Sequence, residues 1–298
     1  MPSWRRRLVM QVKYQGSVVI PAHNEQNVIG RCLEALTTPT ATGEDLFSFE
    51  IVVVCNGCTD RTAELASKFP NVTVIEIPES SKVAALNVGD SAVMSFPRIY
   101  LDADSELPNQ SARSLLRKAR DHAGPTIVSA TVQPDMRKCS IFARSFARCS
   151  MRTSFGELGI VGRGVYTLNR GGRARFESFP ELMGDDFFVA SLFNADEQII
   201  DRCATVVIRP PSDLRSLVRV RSRIYYGNKE AGSERARHVS LHPGWRNVSY
   251  AARRARSFGE FFDLAVYTGV NLAAKRSASK MVRSGSSPRW ERDDSSRV

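Results

Sequence analysis

Two carboxylates one residue apart, Asp102 and Asp104 with Ala103 between them, follow directly on the apolar run Arg98-Ile99-Tyr100-Leu101. Such a pair offers hard oxygen ligands for Mn2+ or Mg2+ held against a diphosphate, whose oxygens and waters would complete an octahedron. A cation there would neutralise charge building on a departing phosphate group. An isolated Asp-Ala-Asp is more often a solvated strand end than a metal site, so its surroundings matter. Pro21-Ala22-His23-Asn24-Glu25 closes the apolar run Ser17-Val18-Val19-Ile20, and Cys55-Asn56-Gly57-Cys58-Thr59-Asp60 closes Glu50-Ile51-Val52-Val53-Val54. Lys82 stands near a helix start with Asn87 further along, where backbone amides and an ammonium can both face phosphate. Each stretch also reads as plain turn or cap chemistry. Their joint placement, each just past an apolar run or at a helix start, is harder to attribute to chance.

The elements that must position these groups alternate short apolar runs with amphipathic stretches, the pattern of βαβ units building a mostly parallel sheet. Strands are expected at 17–20, 50–54, 72–77, 98–101 and 126–132. Helices are expected at 25–36, from a Thr59 cap to about Phe69, from Ser80 or Ser81 through Ala92, and at 111–123. In open sheets of this kind, ligands bind outside the carboxyl ends of the strands. Beyond about Asp135 the alternation weakens, and Gly162, Gly164, Gly171 and Gly172 mark turns.

The order of these motifs resembles the family 2 glycosyltransferases, which have the GT-A fold. The stretches that carry the resemblance are 17–25, 50–60, Lys82-Val83-Ala84-Ala85-Leu86-Asn87 and Leu101-Asp102-Ala103-Asp104, and it extends over about residues 15–195. It implies an inverting, metal-dependent transfer of a sugar from a nucleotide-diphosphate donor, with polysaccharide or glycolipid assembly as the broad setting. The donor site would comprise Pro21, Ala22, Asn24, Glu25, Asn56, Lys82, Asp102, Ala103 and Asp104, with Asp104 and Asp102 holding the metal. Gly184-Asp185-Asp186 looks like the family's acidic pair, with Asp186 the general base and Asp185 orienting or contacting acceptor. Alternatively the pair is a charge match to the dipole of a helix running from Phe187 to Phe193. The arginines after Asp213, of which Arg221 and Arg223 are carried as candidates, match loosely the basic segment that in relatives closes over the diphosphate. The family usually has two acidic residues where this chain has Cys55 and Asn56. Asn56 can still accept from a uracil-type imide, so a UDP-sugar is the favoured donor and a saccharide or lipid-linked molecule the acceptor.

The resemblance divides the chain into a catalytic domain at 1–210, with a nucleotide-binding half about 15–134 and an acceptor half about 135–210. A basic helical extension at 211–278 and a disordered tail at 279–298 would follow. The net charge of +11 lies mainly in the second half: residues 1–150 hold 17 basic and 15 acidic side chains, and the remainder hold 25 and 16. Residues 213–256 alone carry eleven Lys or Arg against three acidic residues. Such a balance attracts polyanions without choosing among them. No zinc-finger, RRM or basic-zipper pattern is present, and basic residues are not interleaved with aromatics as in single-strand binders, so nucleic acid is not an expected partner. A nucleotidyltransferase would show a Gly-rich, Lys- and Arg-bearing loop after the first strand, which 21–25 lacks. A non-enzymatic polyanion binder is the remaining alternative.

The stretch Phe258, Phe261, Phe262, Leu264, Ala265, Tyr267 and Val270 has an apolar side that fits either peripheral contact with an anionic membrane or ordinary packing on the catalytic domain. Gly259 to Ala274 is too short and too charged to span a bilayer. Arg5-Arg6-Arg7 precedes only the short apolar Leu8-Val9-Met10, so no export signal is read, the six cysteines are expected reduced, and the setting is the cytoplasm or the inner face of its membrane. Cys55 and Cys58 form a CxxC without a second pair at zinc spacing.

Overall fold

The computed structural model describes residues 15–39, 49–153, 159–182, 184–230 and 244–284. In chain order its elements are β1 (Ser17–Ala22), α1 (Ile29–Thr37), β2 (Glu50–Asn56), α2 (Thr62–Ala66), β3 (Val72–Ile77), α3 (Lys82–Ala92), β4 (Arg98–Leu101), α4 (Asn109–Asp121) and β5 (Ile127–Pro134). Then come α5 (Ile141–Met151), β6 (Val165–Leu168), α6 (Arg170–Arg173), α7 (Asp185–Ala190), β7 (Gln198–Ile208), α8 (Leu214–Glu230), α9 (Gly244–Arg254) and α10 (Phe258–Arg283). The seven strands form one sheet in the order β3-β2-β1-β4-β6-β5-β7, with β6 antiparallel to its neighbours and the other pairs parallel.

The central strands read as unbroken apolar runs because both sheet faces are covered. With a side-chain period of two, Val18, Ile20 and Val53 join Ile29, Leu33 and Leu36 of α1 and Leu115 of α4 in one core. Val19, Val52 and Val54 join Val83 and Leu86 of α3 and Phe187 and Phe188 of α7 in the other. Parallel pairing aligns Ala22 with Cys55, and Val19 with Tyr100, so the ends of β1, β2 and β4 open on one edge. Antiparallel β6 starts at that same edge, with Val165 opposite Leu101.

Several helices depart from the sequence reading, each for a local reason. The first helix begins at Ile29 rather than Glu25 because residues 24–26 are spent on cross-links: Thr59 N donates to Asn24 Oδ1 at 2.6 Å, Glu25 N to Thr62 Oγ1 at 2.7 Å and Gln26 N to Asp60 Oδ2 at 3.2 Å. The same bonds keep Thr59 from capping a helix, and α2 shrinks to Thr62–Ala66. Ser81 caps α3 as expected, accepting from Ala84 N at 3.1 Å. In the second half, α5 and the eleven-residue β7 have no counterpart in the sequence reading.

After β7, α8 and α10 pack on α5 through Phe146, Cys149, Leu217, Tyr267 and Val270. The seam is pinned by Asp263 of α10, buried and paired with Arg148 at 2.6 Å and Arg152 at 2.9 Å. Helix α10 runs to Arg283, into the segment expected to be a disordered tail, and 285–298 lies outside the described residues, as do Arg5–Arg7 and Leu8–Met10. No helix among the described residues is long and apolar enough to cross a membrane. All six cysteines are free thiols.

Candidate active site

Strand β4 delivers Asp102, Ala103 and Asp104 to the open edge, and the turn is closed by Ser105 N donating to Asp102 O at 3.0 Å. Ala103 is buried beneath it. Asp102 N donates to Gly164 O at 2.9 Å, tying this turn to the loop that enters β6. Gly164 has φ +69°, and a Cβ there would lie 2.2 Å from Ser105 Oγ, so only glycine allows the approach. Two residues earlier, Gly162 N donates to Asp186 Oδ2 at 2.6 Å. The loop Gly162-Arg163-Gly164 thus binds both acidic pairs through its backbone. It is fixed from below by buried Arg163, whose guanidinium donates to Gly159 O at 2.5 Å and Ala130 O at 3.0 Å.

The two acidic pairs also meet through one side chain. Lys82, the first residue of α3, places Nζ 2.7 Å from Asp102 Oδ1 and 2.8 Å from Asp185 Oδ1. The ammonium expected to face phosphate is therefore shared between two carboxylates. Burial works against its charge, but Asp102 and Asp185 outweigh burial and hold its pKa well above the ordinary lysine value. Asp185 is buried and also accepts from Tyr166 OH at 3.1 Å. Asp186 accepts from Phe187 N at 2.8 Å as well as from Gly162 N, yet burial, and next the neighbouring Asp185, keep its carboxyl raised. Asp102 is pushed up to about 6, chiefly by burial, with Lys82 opposing and Asp185 and Asp104 reinforcing the rise. Both members of the acidic pair lie in the first turn of α7, so the dipole reading of their position holds beside any chemical one.

The β1 and β2 ends form the other wall. Asn24 adopts φ 53°, a left-handed conformation that asparagine tolerates, and its side chain reaches Thr59. His23 Nδ1 lies 2.5 Å from Asn56 O, and Gly57, at φ +57° with Ser80 close above it, turns the chain. Pro21, Ala22 and Glu25 are buried behind this wall. Asn56 is buried as well, and its amide nitrogen has no hydrogen-bond partner among the described residues. Cys58, whose sulfur accepts from Asn24 N at 3.3 Å, has its thiol lowered to about 7, first through the hydrogen bond from Cys55.

Other expected residues fall elsewhere. The amide of Asn87 brackets Phe179, donating to the carbonyl at 3.1 Å and accepting from N at 2.8 Å. Arg221 sits in the α8–α10 seam, bonded to Asn271 Oδ1 at 2.9 Å and lying 5.2 Å from the Tyr225 ring, so these partners belong to the helices and not to the acidic edge. Arg223 lies on the same helix, half-buried. The sequence reading missed Tyr166 and the Gly162–Gly164 loop; two glycines flanking one arginine just ahead of a strand were the available signal. Among the described residues no three His, Cys, Asp or Glu side chains gather as a metal cluster.

The sequence profile described as "Glycosyl transferase family 2" matches residues 17–153, which span β1 through α5. That match covers a little under half of the chain, and over it the chain resembles glycosyl transferase family 2. Among curated relatives, the chain is 33% identical over 93 residues to Glycosyltransferase AglE of Haloferax volcanii, a match covering 30% of each protein. It is 26% identical over 106 residues to Glycosyltransferase GlyA of Streptococcus pneumoniae, covering 34% of this chain and 14% of that protein. The chain therefore matches less than a third of the length of these relatives. In structure it is similar to the mannosyltransferase PcManGT from Pyrobaculum calidifontis in complex with GDP-Man and Mn2+, at 18% identity and a TM-score of 0.53, covering 91% of this chain and 74% of that one. A TM-score of 0.50 at 17% identity relates it to glucosyl-3-phosphoglycerate synthase from Mycobacterium tuberculosis, covering 72% of this chain and 78% of that one. These likenesses fix the fold as GT-A in type, with the mostly parallel sheet described above.

Proposed function

We propose that this chain transfers a sugar from a nucleotide-diphosphate donor to an acceptor hydroxyl with inversion at the anomeric carbon. The observation that carries the reading is the union of the two acidic pairs: Asp102 and Asp185 share the Lys82 ammonium, while Asp102 N and Asp186 bind opposite ends of one short loop. The β1 and β2 ends would take the nucleoside, Asn56 offering its buried amide to a base carbonyl, with UDP the preferred carrier. Within this division residues 15–134 bind donor and 135–210 bind a saccharide or lipid-linked acceptor, in polysaccharide or glycolipid assembly on the cytoplasmic side.

A divalent cation, Mn2+ or Mg2+, fits the donor set. Asp102 and Asp104 supply hard oxygens, and the Asp102 carboxyl is raised first by burial, with Asp185 and Asp104 adding to the rise against Lys82. Mg2+ in particular is usually held by one or two carboxylates plus substrate phosphates, without an all-protein cage. The ion would supply charge stabilisation for the departing diphosphate. Asp186, held by two backbone N–H groups and raised by burial, would take the proton from the acceptor hydroxyl. The hydroxyl oxygen then bonds to the anomeric carbon as the bond from that carbon to the diphosphate breaks on the opposite face. Asp185, fixed by Lys82 and Tyr166, would orient the acceptor. Incubation with UDP- and GDP-sugars and Mn2+, with release of nucleoside diphosphate as the readout, tests the reading; no release from any donor with a broad set of acceptors would count against it.

A further inference from the structure

Helix α10 is not uniform along its length. Its later turns bury Tyr267, Val270, Asn271, Ala274 and Ala278 against α5 and α8. Its first turns do the reverse: Phe258 is 96% exposed, Phe261 53% and Phe262 43%. The start of α5 adds Ile141 at 65% and Phe142 at 44%, and the Phe142 and Phe262 rings lie 6.2 Å apart, so the two helices share one apolar face. Single exposed apolar residues are ordinary, but a contiguous aromatic patch marks an interaction surface. Phe258 is not on a fraying end: Ser257 and Glu260 form a reciprocal capping box that fixes its turn.

The rim of this face is basic. Arg253, Arg254 and Arg256 precede Phe258, and Lys138 and Arg144, both exposed, flank the start of α5 beside Arg137, which is paired with Asp135 at 2.8 Å. The acidic residues of α10 do not offset them outwardly, because Asp263 is consumed by Arg148 and Arg152 and Glu260 by its own cap and Arg152. A second copy of the chain would bring two basic rims together, whereas an anionic bilayer satisfies both the rings and the charges.

We propose that the face made by Ile141, Phe142, Phe258, Phe261 and Phe262, with its arginine rim, docks on an anionic lipid surface. The rings enter the headgroup boundary and the guanidiniums pair with lipid phosphates. Helix α5 follows β5, whose carboxyl end lies on the same sheet edge as the acidic pairs, so docking brings that edge toward the headgroups. This orientation suits a lipid-linked acceptor and in that respect rests on the proposed transfer; the docking does not.

The test is flotation of the full chain with phosphatidylcholine vesicles, with and without about 30% phosphatidylglycerol. The chain, the variant Phe258→Ser/Phe261→Ser/Phe262→Ser and the variant Arg253→Glu/Arg254→Glu/Arg256→Glu would be compared, each checked by thermal melting and for UDP binding with Mn2+. The expected result is partition onto anionic vesicles at least about tenfold above neutral ones, lost in the phenylalanine variant and reduced to the neutral level in the charge-reversed one. Nucleotide binding and melting should stay unchanged in both, which separates failure of docking from failure of the transfer reading. Absence of binding to either vesicle, equal binding to both, or undiminished binding of the phenylalanine variant would overturn the proposal. So would a lipid-free dimer that the phenylalanine variant dissolves, which would assign the face to a second copy.

Discussion

Tyr100 and Tyr166 stand opposite each other on β4 and β6, stacked with centroids 5.0 Å apart, and each hydroxyl donates to a different aspartate. Tyr100 donates to Asp90 at 2.5 Å and Tyr166 to Asp185 at 3.1 Å. From these neighbouring starts the two charge clusters diverge. Asp90 is buried with Arg98 at 2.5 Å and Arg173 at 2.8 Å, two guanidiniums for one carboxylate. Burial alone would raise its pKa, but Tyr100, Arg173 and Arg98 outweigh burial and hold it low. At the site the ratio is inverted: Lys82 serves Asp102 and Asp185, and Asp102 and Asp186 are left raised. A cluster whose charges are fully answered within the protein holds the fold together. One with surplus carboxylate has capacity left for a cation or a proton.

The comparison breaks most sharply if Asp186 turns out to be dispensable. Asp186→Asn should slow sugar transfer about 10²- to 10⁴-fold while leaving the melting midpoint nearly unchanged; a loss of only a few fold in steady-state kinetics would remove it as the base. Asp90→Asn should do the opposite, destabilising by about 3 kcal/mol because two guanidiniums lose their carboxylate. Urea unfolding reads this directly, and an unmoved midpoint would mean the cluster does not brace the fold.

The smallest effect concerns pH. Asp90 has a depressed pKa, so its stabilisation is present above the ordinary carboxylate value near 4 and is lost as pH falls through its folded value. Asp102 is raised to about 6, so its charged form costs stability, and that cost is relieved as pH falls through about 6. Asp102→Asn should therefore stabilise the chain at pH 7 by no more than about 1 kcal/mol, since the group is half-exposed. The gain should shrink as pH drops through about 6 in a series of melts. Destabilisation at pH 7 would make Lys82–Asp102 an ordinary structural bridge.

The sheet and its open edge were legible because the signals are local. Apolar runs mark β1, β2 and β4, and polar residues follow each one. Asp102, Asp104 and Asn56 were read that way, whereas the 185–186 pair was read from the family resemblance. What joins them was not legible, because it depends on contacts between distant segments. Lys82 reaches Asp185 across about a hundred residues of sequence, and the 162–164 loop meets Asp102 only because β6 runs antiparallel beside β4. The same limit applies to Asn87, whose amide bonds to Phe179, 92 residues away in sequence. For α10 the sequence left membrane contact and core packing open. The structure divides the named residues, with Tyr267 and Val270 packed and Phe258, Phe261 and Phe262 outside.

The central claim, that the open edge is a cation-dependent nucleotide site, is tested most directly by calorimetric titration of UDP, GDP and dTDP into the chain with and without Mn2+, in parallel with Asp104→Ala. The account predicts binding of one nucleotide, UDP foremost, that requires both Mn2+ and Asp104, with folding unaltered by the substitution. Binding that persists without Mn2+ and in Asp104→Ala, or no binding of any nucleotide, would contradict it.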